Sequence, residues 1–131
     1  MDKDLKIAFE KFEISDLERF IQYGESLIMC GEFRAAREPL LTALVIADGD
    51  PDVLFLLAET YRLEGKYELA IQNYESALEV NYGRDDIHKS LGRTYFLKAE
   101  FEKAQCHFEI AIENDPYHSG YRTELASFYL N

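Results

Sequence analysis

The residues best placed to do chemistry in this 131-residue chain are a run of acids, three histidines and two cysteines, and their spacing decides what each could do. Asp48, Asp50, Asp52 and Glu59 occupy the first, third, fifth and twelfth places of a calcium loop. Such a loop needs glycine at its sixth place for the sharp turn, but Val53 stands there and Pro51 interrupts the run. His88, His107 and His118 are widely separated, without the close pairing or nearby cysteines of a metal site, and read as structural or surface histidines. Cys30 and Cys106 lie far apart in the chain with no CxxC spacing; each is expected as a small apolar filler in a reducing compartment rather than half of a disulfide. No phosphate-binding glycine loop, nucleophile elbow or zinc-protease helix occurs, and the carboxylates recur on solvated faces rather than as a catalytic pair. No metal, no cofactor and no enzyme activity is therefore expected.

Composition sets the broader frame. Nine Phe, nine Tyr and a hydrophobic fraction of 47% describe a folded chain, despite a net charge of -11. That charge is spread, with -2 in residues 1–16, -3 in each of 17–50, 51–84 and 85–118, and 0 in 119–131. An evenly acidic surface disfavours nucleic acid and anionic membranes and favours a basic partner, although solubility alone would also account for it. The opening residues offer no apolar run suited to a secretory signal, and no later stretch has the length of a membrane span, so a cytoplasmic protein is expected.

The elements that position these residues repeat. In 51–84, Leu54, Leu57, Ala58 and Tyr61 mark one amphipathic helix, and Leu69, Ala70, Tyr74, Ala77 and Leu78 mark a second after Gly65. Tyr23-Gly24, Leu57-Ala58, Leu91-Gly92 and Leu125-Ala126 recur at one constant interval, and Ala36, Ala70 and Ala104, then Ala43, Ala77 and Ala111, keep the same interval. A period of 34 with two helices per unit, small residues at helix crossings, and aromatics at Tyr61, Tyr74, Tyr95 and Phe108 resembles the tetratricopeptide repeat family. The family's frequent tryptophan is replaced by Phe20, Leu54, His88 and Arg122, and its closing proline survives only as Pro116.

The resemblance implies an all-α fold: a right-handed α-solenoid of three repeat helix pairs plus a C-terminal helix and a short N-terminal helix. Residues 1–16 form an N-terminal helical segment and 17–131 the repeat domain, with repeats at 17–50, 51–84 and 85–118 and a final helix in 119–131. The first segment carries Leu5, Ala8, Phe9 and Phe12 on one stripe, suited either to cap the first repeat or to dock elsewhere. Ser15 and Glu18 have capping-box spacing, so a helix is expected from about Asp16 to Cys30 with Phe20, Tyr23, Gly24 and Leu27 inside. A second should run from about Glu32 to Ala47, bent or delayed by Pro39. Asp50 and Pro51 suit the N-cap and first position of the next, and Asp85 is expected to cap the helix after that. A further break is expected at Ala99–Glu100.

In proteins of this fold the first helix of each repeat lines a concave groove. Removing the inner stripe leaves Glu18, Ile21, Glu25, Ile28 and Met29 in the first repeat, Asp52, Phe55, Glu59, Arg62 and Leu63 in the second, and Asp86, Lys89, Arg93, Phe96 and Leu97 in the third. Candidate partner-binding residues are thus Ile21, Glu25, Ile28, Phe55, Glu59, Arg62, Leu63, Lys89, Arg93 and Phe96, unless the apolar ones pack on neighbouring helices instead. Family members that grip a C-terminal carboxylate use Lys, Asn and Arg on these faces. The matching places hold Ile21, Glu25, Leu56, Asp86 and Ser90, or, one repeat on, Phe55, Glu59, Ser90, Gly120 and Glu124, so no carboxylate clamp is expected.

The expected role is a protein-interaction module, an adaptor, scaffold or chaperone, that binds a hydrophobic, basic-flanked peptide segment of another protein, with no nucleic acid and no membrane as partner. Its size, acidity and three repeats resemble the chaperones of bacterial type III secretion. The alternatives are a structural subunit that self-associates through its terminal helices, where Phe128, Tyr129 and Leu130 crowd the last one, or a piece of a longer protein.

Overall fold

The computed structural model describes residues 14–114 as six α-helices: α1 (Ile14–Met29), α2 (Phe33–Ile46), α3 (Pro51–Leu63), α4 (Tyr67–Val80), α5 (Asp85–Leu97) and α6 (Phe101–Asn114). No strand occurs among the described residues. Second helices begin at Phe33, Tyr67 and Phe101, and first helices at Pro51 and Asp85, so the repeat interval of the sequence is carried into the structure. The segments 1–13 and 115–131, with the expected terminal helices, Pro116 and His118, lie outside the described residues.

Each pair closes through one kind of turn. After α3, Gly65 N–H bonds Arg62 O (3.0 Å) and Lys66 N–H bonds Tyr61 O (2.8 Å), satisfying the last carbonyls of the helix. The same two bonds recur from Gly31 and Glu32 to Ile28 and Leu27, and from Ala99 and Glu100 to Phe96 and Tyr95. The geometry requires a left-handed residue at the second position: Gly31 and Gly65 both have φ 81°, and Ala99 is forced to φ 63°.

The helix pairs stack because none can bury its own apolar stripe. Ala36, Leu40 and Ala43 of α2 meet Val53 and Leu57 of α3, with Phe20, Ile21 and Ile28 of α1 packed alongside. Leu54 and Ala58 of α3, Ala70, Ile71 and Tyr74 of α4, Ile87 and Leu91 of α5, and Ala104 and Phe108 of α6 form the second core. Glycine permits the closest approaches: a Cβ on Gly24 would lie 2.7 Å from Leu40, and one on Gly92 would lie 2.8 Å from Phe108.

Several local expectations need correction. Ser15 lies inside α1, so it does not cap that helix. Tyr23 is 59% exposed although Leu57 and Leu91, its equivalents, are buried; among the described residues no preceding pair covers it. Leu69 is exposed as well, near the start of α4. Pro39 is buried within α2 and neither delays nor interrupts it. The bond it forfeits is offset by burial of Ala36, Leu40 and Ala43 around it. Asp50 does cap α3, accepting from the N–H groups of Asp52 (2.9 Å) and Val53 (3.2 Å). Asp85 is instead the first residue of α5, and Arg84 holds the cap position without a side-chain bond to the helix. Cys30 and Cys106 are both free and exposed, not fillers. Cys30 falls in a turn, and Cys106 takes the outward place held by Gln72 one repeat earlier.

Candidate partner-binding face

First helices of neighbouring pairs, α1 with α3 and α3 with α5, touch directly, and among the described residues no comparable contact links the second helices. The first helices therefore line the inner side of the stack. Ile21 and Ile28 are half-buried there against the first core, leaving Glu25 exposed between them. Phe55 and Phe96 are likewise half-buried, packed on the second core. The Phe55 ring lies 5.9 Å from that of Tyr74, and Phe96 meets Phe101 at 5.4 Å. Lys89 is half-buried and Arg93 exposed on α5.

Two of the candidate charges answer each other. Arg62 donates to Glu59 (2.6 Å) and to the Tyr74 hydroxyl (3.3 Å), and that hydroxyl donates to Glu59. Burial, followed by the Glu59 charge, raises the Tyr74 pKa above its ordinary value. Burial opposes the charge on Arg62, but Glu59 and Tyr74 outweigh it and raise that pKa too. The triad thus ties α3 to α4 and is internally neutral. At the rim, Arg84 donates to both oxygens of Asp86 (2.9 and 2.7 Å) and reaches back to Asp52 (2.7 Å), linking the second and third pairs. Its guanidinium, raised in pKa first by Asp86, holds the Asp86 carboxyl below its usual range in spite of burial.

Of the four acids with calcium-loop spacing, Asp50, Asp52 and Glu59 are therefore occupied as a helix cap, a partner of Arg84 and a partner of Arg62. Among the described residues no group of three or more His, Cys, Asp or Glu side chains is arranged to hold a metal. None of the described helices is long and apolar enough to cross a membrane.

The exposed apolar residues at the ends of the first helices are periodic. Met29, Leu63 and Leu97, the last residues of α1, α3 and α5, are 88%, 42% and 53% exposed. The sequence puts all three on the groove face of the first helices, one repeat apart, but of them the candidate set holds Leu63 alone. Arg84 is absent from the candidates, and Tyr74 is expected there only as a packing aromatic, because the polar roles of both depend on contacts across helices.

A sequence model of the tetratricopeptide repeat matches residues 51–116, half of the chain. The chain belongs to the tetratricopeptide repeat family. Solved structures agree on the fold. The first tetratricopeptide repeat domain of Spaghetti (RPAP3), bound to the HSP90 peptide SRMEEVD, superposes with TM-score 0.82 at 16% identity, covering 90% of this chain and 94% of that one. The Yersinia enterocolitica type III secretion chaperone SycD, in complex with a peptide of the translocator YopD, gives 0.78 at 16% identity, covering 87% and 92%. Pseudomonas aeruginosa PilF gives 0.82 at 23% identity, covering 88% of this chain. The chain spans 53% of that PilF structure and 66% of a similar MamA structure. Comparison with curated protein sequences finds no match. In this tetratricopeptide repeat chain the first helices of neighbouring pairs touch one another, and Met29, Leu63 and Leu97 at their ends are exposed.

Proposed function

We propose that this tetratricopeptide repeat protein is an interaction module, an adaptor or chaperone, that holds an apolar, basic-flanked segment of another protein along the inner faces of α1, α3 and α5. The observation that carries this reading is the exposed line of Met29, Leu63 and Leu97, repeated once per helix pair. Burying a fully exposed side chain of this kind is worth about 1.5–3 kcal/mol, which Met29 approaches and of which Leu63 and Leu97 retain roughly half, before the costs of association. Basic flanks are favoured because Glu18 and Glu25 are exposed on α1 and the chain carries a net charge of -11. An acidic C-terminal tail is a poor fit, since Ile21, Glu25, Leu56, Asp86 and Ser90 provide no cation at the clamp positions. A role like that of a type III secretion chaperone is consistent with this ligand chemistry, and SycD bound to a translocator peptide shares the fold.

A second reading, self-association, draws on the opposite face. Leu41 and Val45 are exposed on α2 where the later repeats carry Glu75 and Glu79, then Glu109 and Glu113. The terminal helices expected in this role lie outside the described residues.

Fluorescence anisotropy with a labelled synthetic peptide alternating leucine and lysine, and its leucine–glutamate counterpart, tests the first reading. The basic peptide should bind at least about tenfold more tightly. Replacing Leu63 and Leu97 together by Ser should weaken it by about tenfold or more with helicity unchanged. Unaltered affinity in that variant rejects the face; equal affinity for the two peptides rejects the charge preference. The exposed leucines serve better here than Phe55 and Phe96, whose loss would also disturb the core.

A further inference from the structure

His88 and His107, distant in sequence, meet between α5 and α6 with their Nδ1 atoms 3.0 Å from each other. His88 is fully buried. Its other nitrogen, Nε2, lies 2.9 Å from the carbonyl oxygen of Tyr82 in the turn before α5. A carbonyl can only accept, so His88 Nε2 carries a hydrogen. In a neutral ring Nδ1 of His88 is then a lone pair, and the hydrogen in the contact belongs to Nδ1 of His107. Donor and acceptor are thereby assigned along the whole chain, from His107 through His88 to Tyr82.

Burial and the neighbouring His88 ring oppose a further proton on His107. Tyr82 packs its ring edge against His88 at 4.8 Å, and Tyr95 stacks on His107 at 5.6 Å with its plane 10° away. The Tyr95 hydroxyl donates to Glu75 of α4 (3.2 Å), and burial followed by Glu75 pushes its pKa up to about 12. Lys103 of α6 lies 5.5 Å over the Tyr95 ring, adding positive charge nearby. Asp85, one turn before His88, has a buried oxygen without a hydrogen-bond partner. Among the described residues no carboxylate bonds to either imidazole. A proton on His107 Nε2 would create a largely buried cation, and one on His88 Nδ1 would set N–H against N–H.

We propose that the His88–His107 pair is an acid-sensitive latch on the third helix pair, closed with one hydrogen on each ring and opened by further protonation, which frees α6 from α5 while the first two pairs stay stacked. The direction of the effect follows from linkage. Burial, then the neighbouring His88, holds His107 down to about 4. An opened ring accepts a proton near its ordinary value of about 6.5, so acid favours opening as pH falls from there towards 4. Stability conferred by the neutral pair is complete above the opened-state value and is lost across that window.

Two measurements on the full chain test the latch. Long-range nitrogen–proton NMR of labelled imidazoles at pH 7.5 should show His107 protonated at Nδ1 and His88 at Nε2; His107 protonated at Nε2 would overturn the proposal. Between pH 7.5 and 5, hydrogen-exchange protection factors in α6 should fall about thirtyfold relative to those in α2. In His107→Asn the amide can donate in place of Nδ1 but cannot take a proton, so this relative fall should vanish. An equal fall in variant and parent would reject the latch. Should the variant not fold, the NMR assignment in the parent chain decides.

Discussion

The seam between the first and second helix pairs and the seam between the second and third are built from positions one repeat apart, yet different chemistry closes them. At the first, Arg37 of α2 is buried, donates to Thr60 (3.3 Å) and to Glu64, and lies 4.5 Å over the Tyr61 ring. At the second, Ile71 takes the place of Arg37 and is buried in the core. Thr94 and Tyr95 stand for Thr60 and Tyr61, but Lys98 stands for Glu64 and pairs with Glu68, which itself stands where Arg34 was. The adjoining turns are reversed in the same sense, Glu64-Gly65-Lys66 against Lys98-Ala99-Glu100.

Apolar burial drives stacking at both seams, but it does not say which pair follows which. The charges do. A second helix carrying Arg34 and Arg37 matches a first helix ending in Glu64, whereas one carrying Glu68 matches Lys98. Exchanging partners would set Glu68 beside Glu64, or Arg37 beside Lys98, and such juxtapositions select against the wrong order. The same logic applies to the edge of a second copy, so the seams favour one succession of pairs over mixed stacks.

The comparison breaks most severely at the apolar seam. Ile71→Arg would bury a cation opposite Lys98 and should cost about 3–5 kcal/mol, read by urea unfolding with circular dichroism. Adding Lys98→Glu together with Glu68→Arg to that variant recreates the charges of the first seam, where Arg34 and Arg37 face Glu64, and should recover part of the loss. An absence of recovery would mean that the two seams are not interchangeable in charge.

The reverse exchange should matter less. Arg37→Ile gives the first seam the apolar form of the second, and stability at pH 7 should change less than in Ile71→Arg, since the Glu64 carboxylate left without its partner faces solvent rather than the core. Its pH response is more revealing. The hydrogen bond from Arg37 holds the Glu64 pKa below its ordinary value. The resulting stabilisation is present above the unfolded carboxylate range and is lost as pH falls through the folded value. Parent and variant should therefore differ in acid unfolding, with the variant gaining relative to the parent as pH drops below about 4. Parallel acid curves would show that the pair contributes little.

These particulars also separate what the amino-acid pattern discloses from what it hides. The helices, the interval of 34 and the small residues at Gly24, Ala58, Ala70 and Gly92 are legible because each is stated in more than one repeat. Asp50 and Pro51 are legible because capping is local. Tyr23 was misplaced because the stripe it shares with Leu57 and Leu91 does not say which unit lies at an end. Contacts across helices are harder still. His88 and His107 occupy the positions held by Leu54 and Asn73 one repeat earlier, so their adjacency is implied by the phase, but their hydrogen bond is particular to the third pair. Glu59 and Arg62 likewise look like surface charges until Tyr74 brings its hydroxyl between them.

The smallest difference between the regions is one methyl group. Gly65 and Ala99 are the central residues of the two charge-reversed turns, and both sit at positive φ, 81° and 63°. A Cβ added to Gly65 would meet nothing within 4 Å, so the contrast is one of backbone conformation rather than packing. An alanine there is strained by the left-handed region, whereas glycine adopts it freely. Ala99→Gly should therefore stabilise the chain by about 1 kcal/mol, and Gly65→Ala should destabilise it by a similar amount. Because charge does not enter either change, both effects should persist at high salt, where the Lys98–Glu68 pair is screened. A gain from Ala99→Gly that disappears in salt would tie that turn to its flanking charges instead.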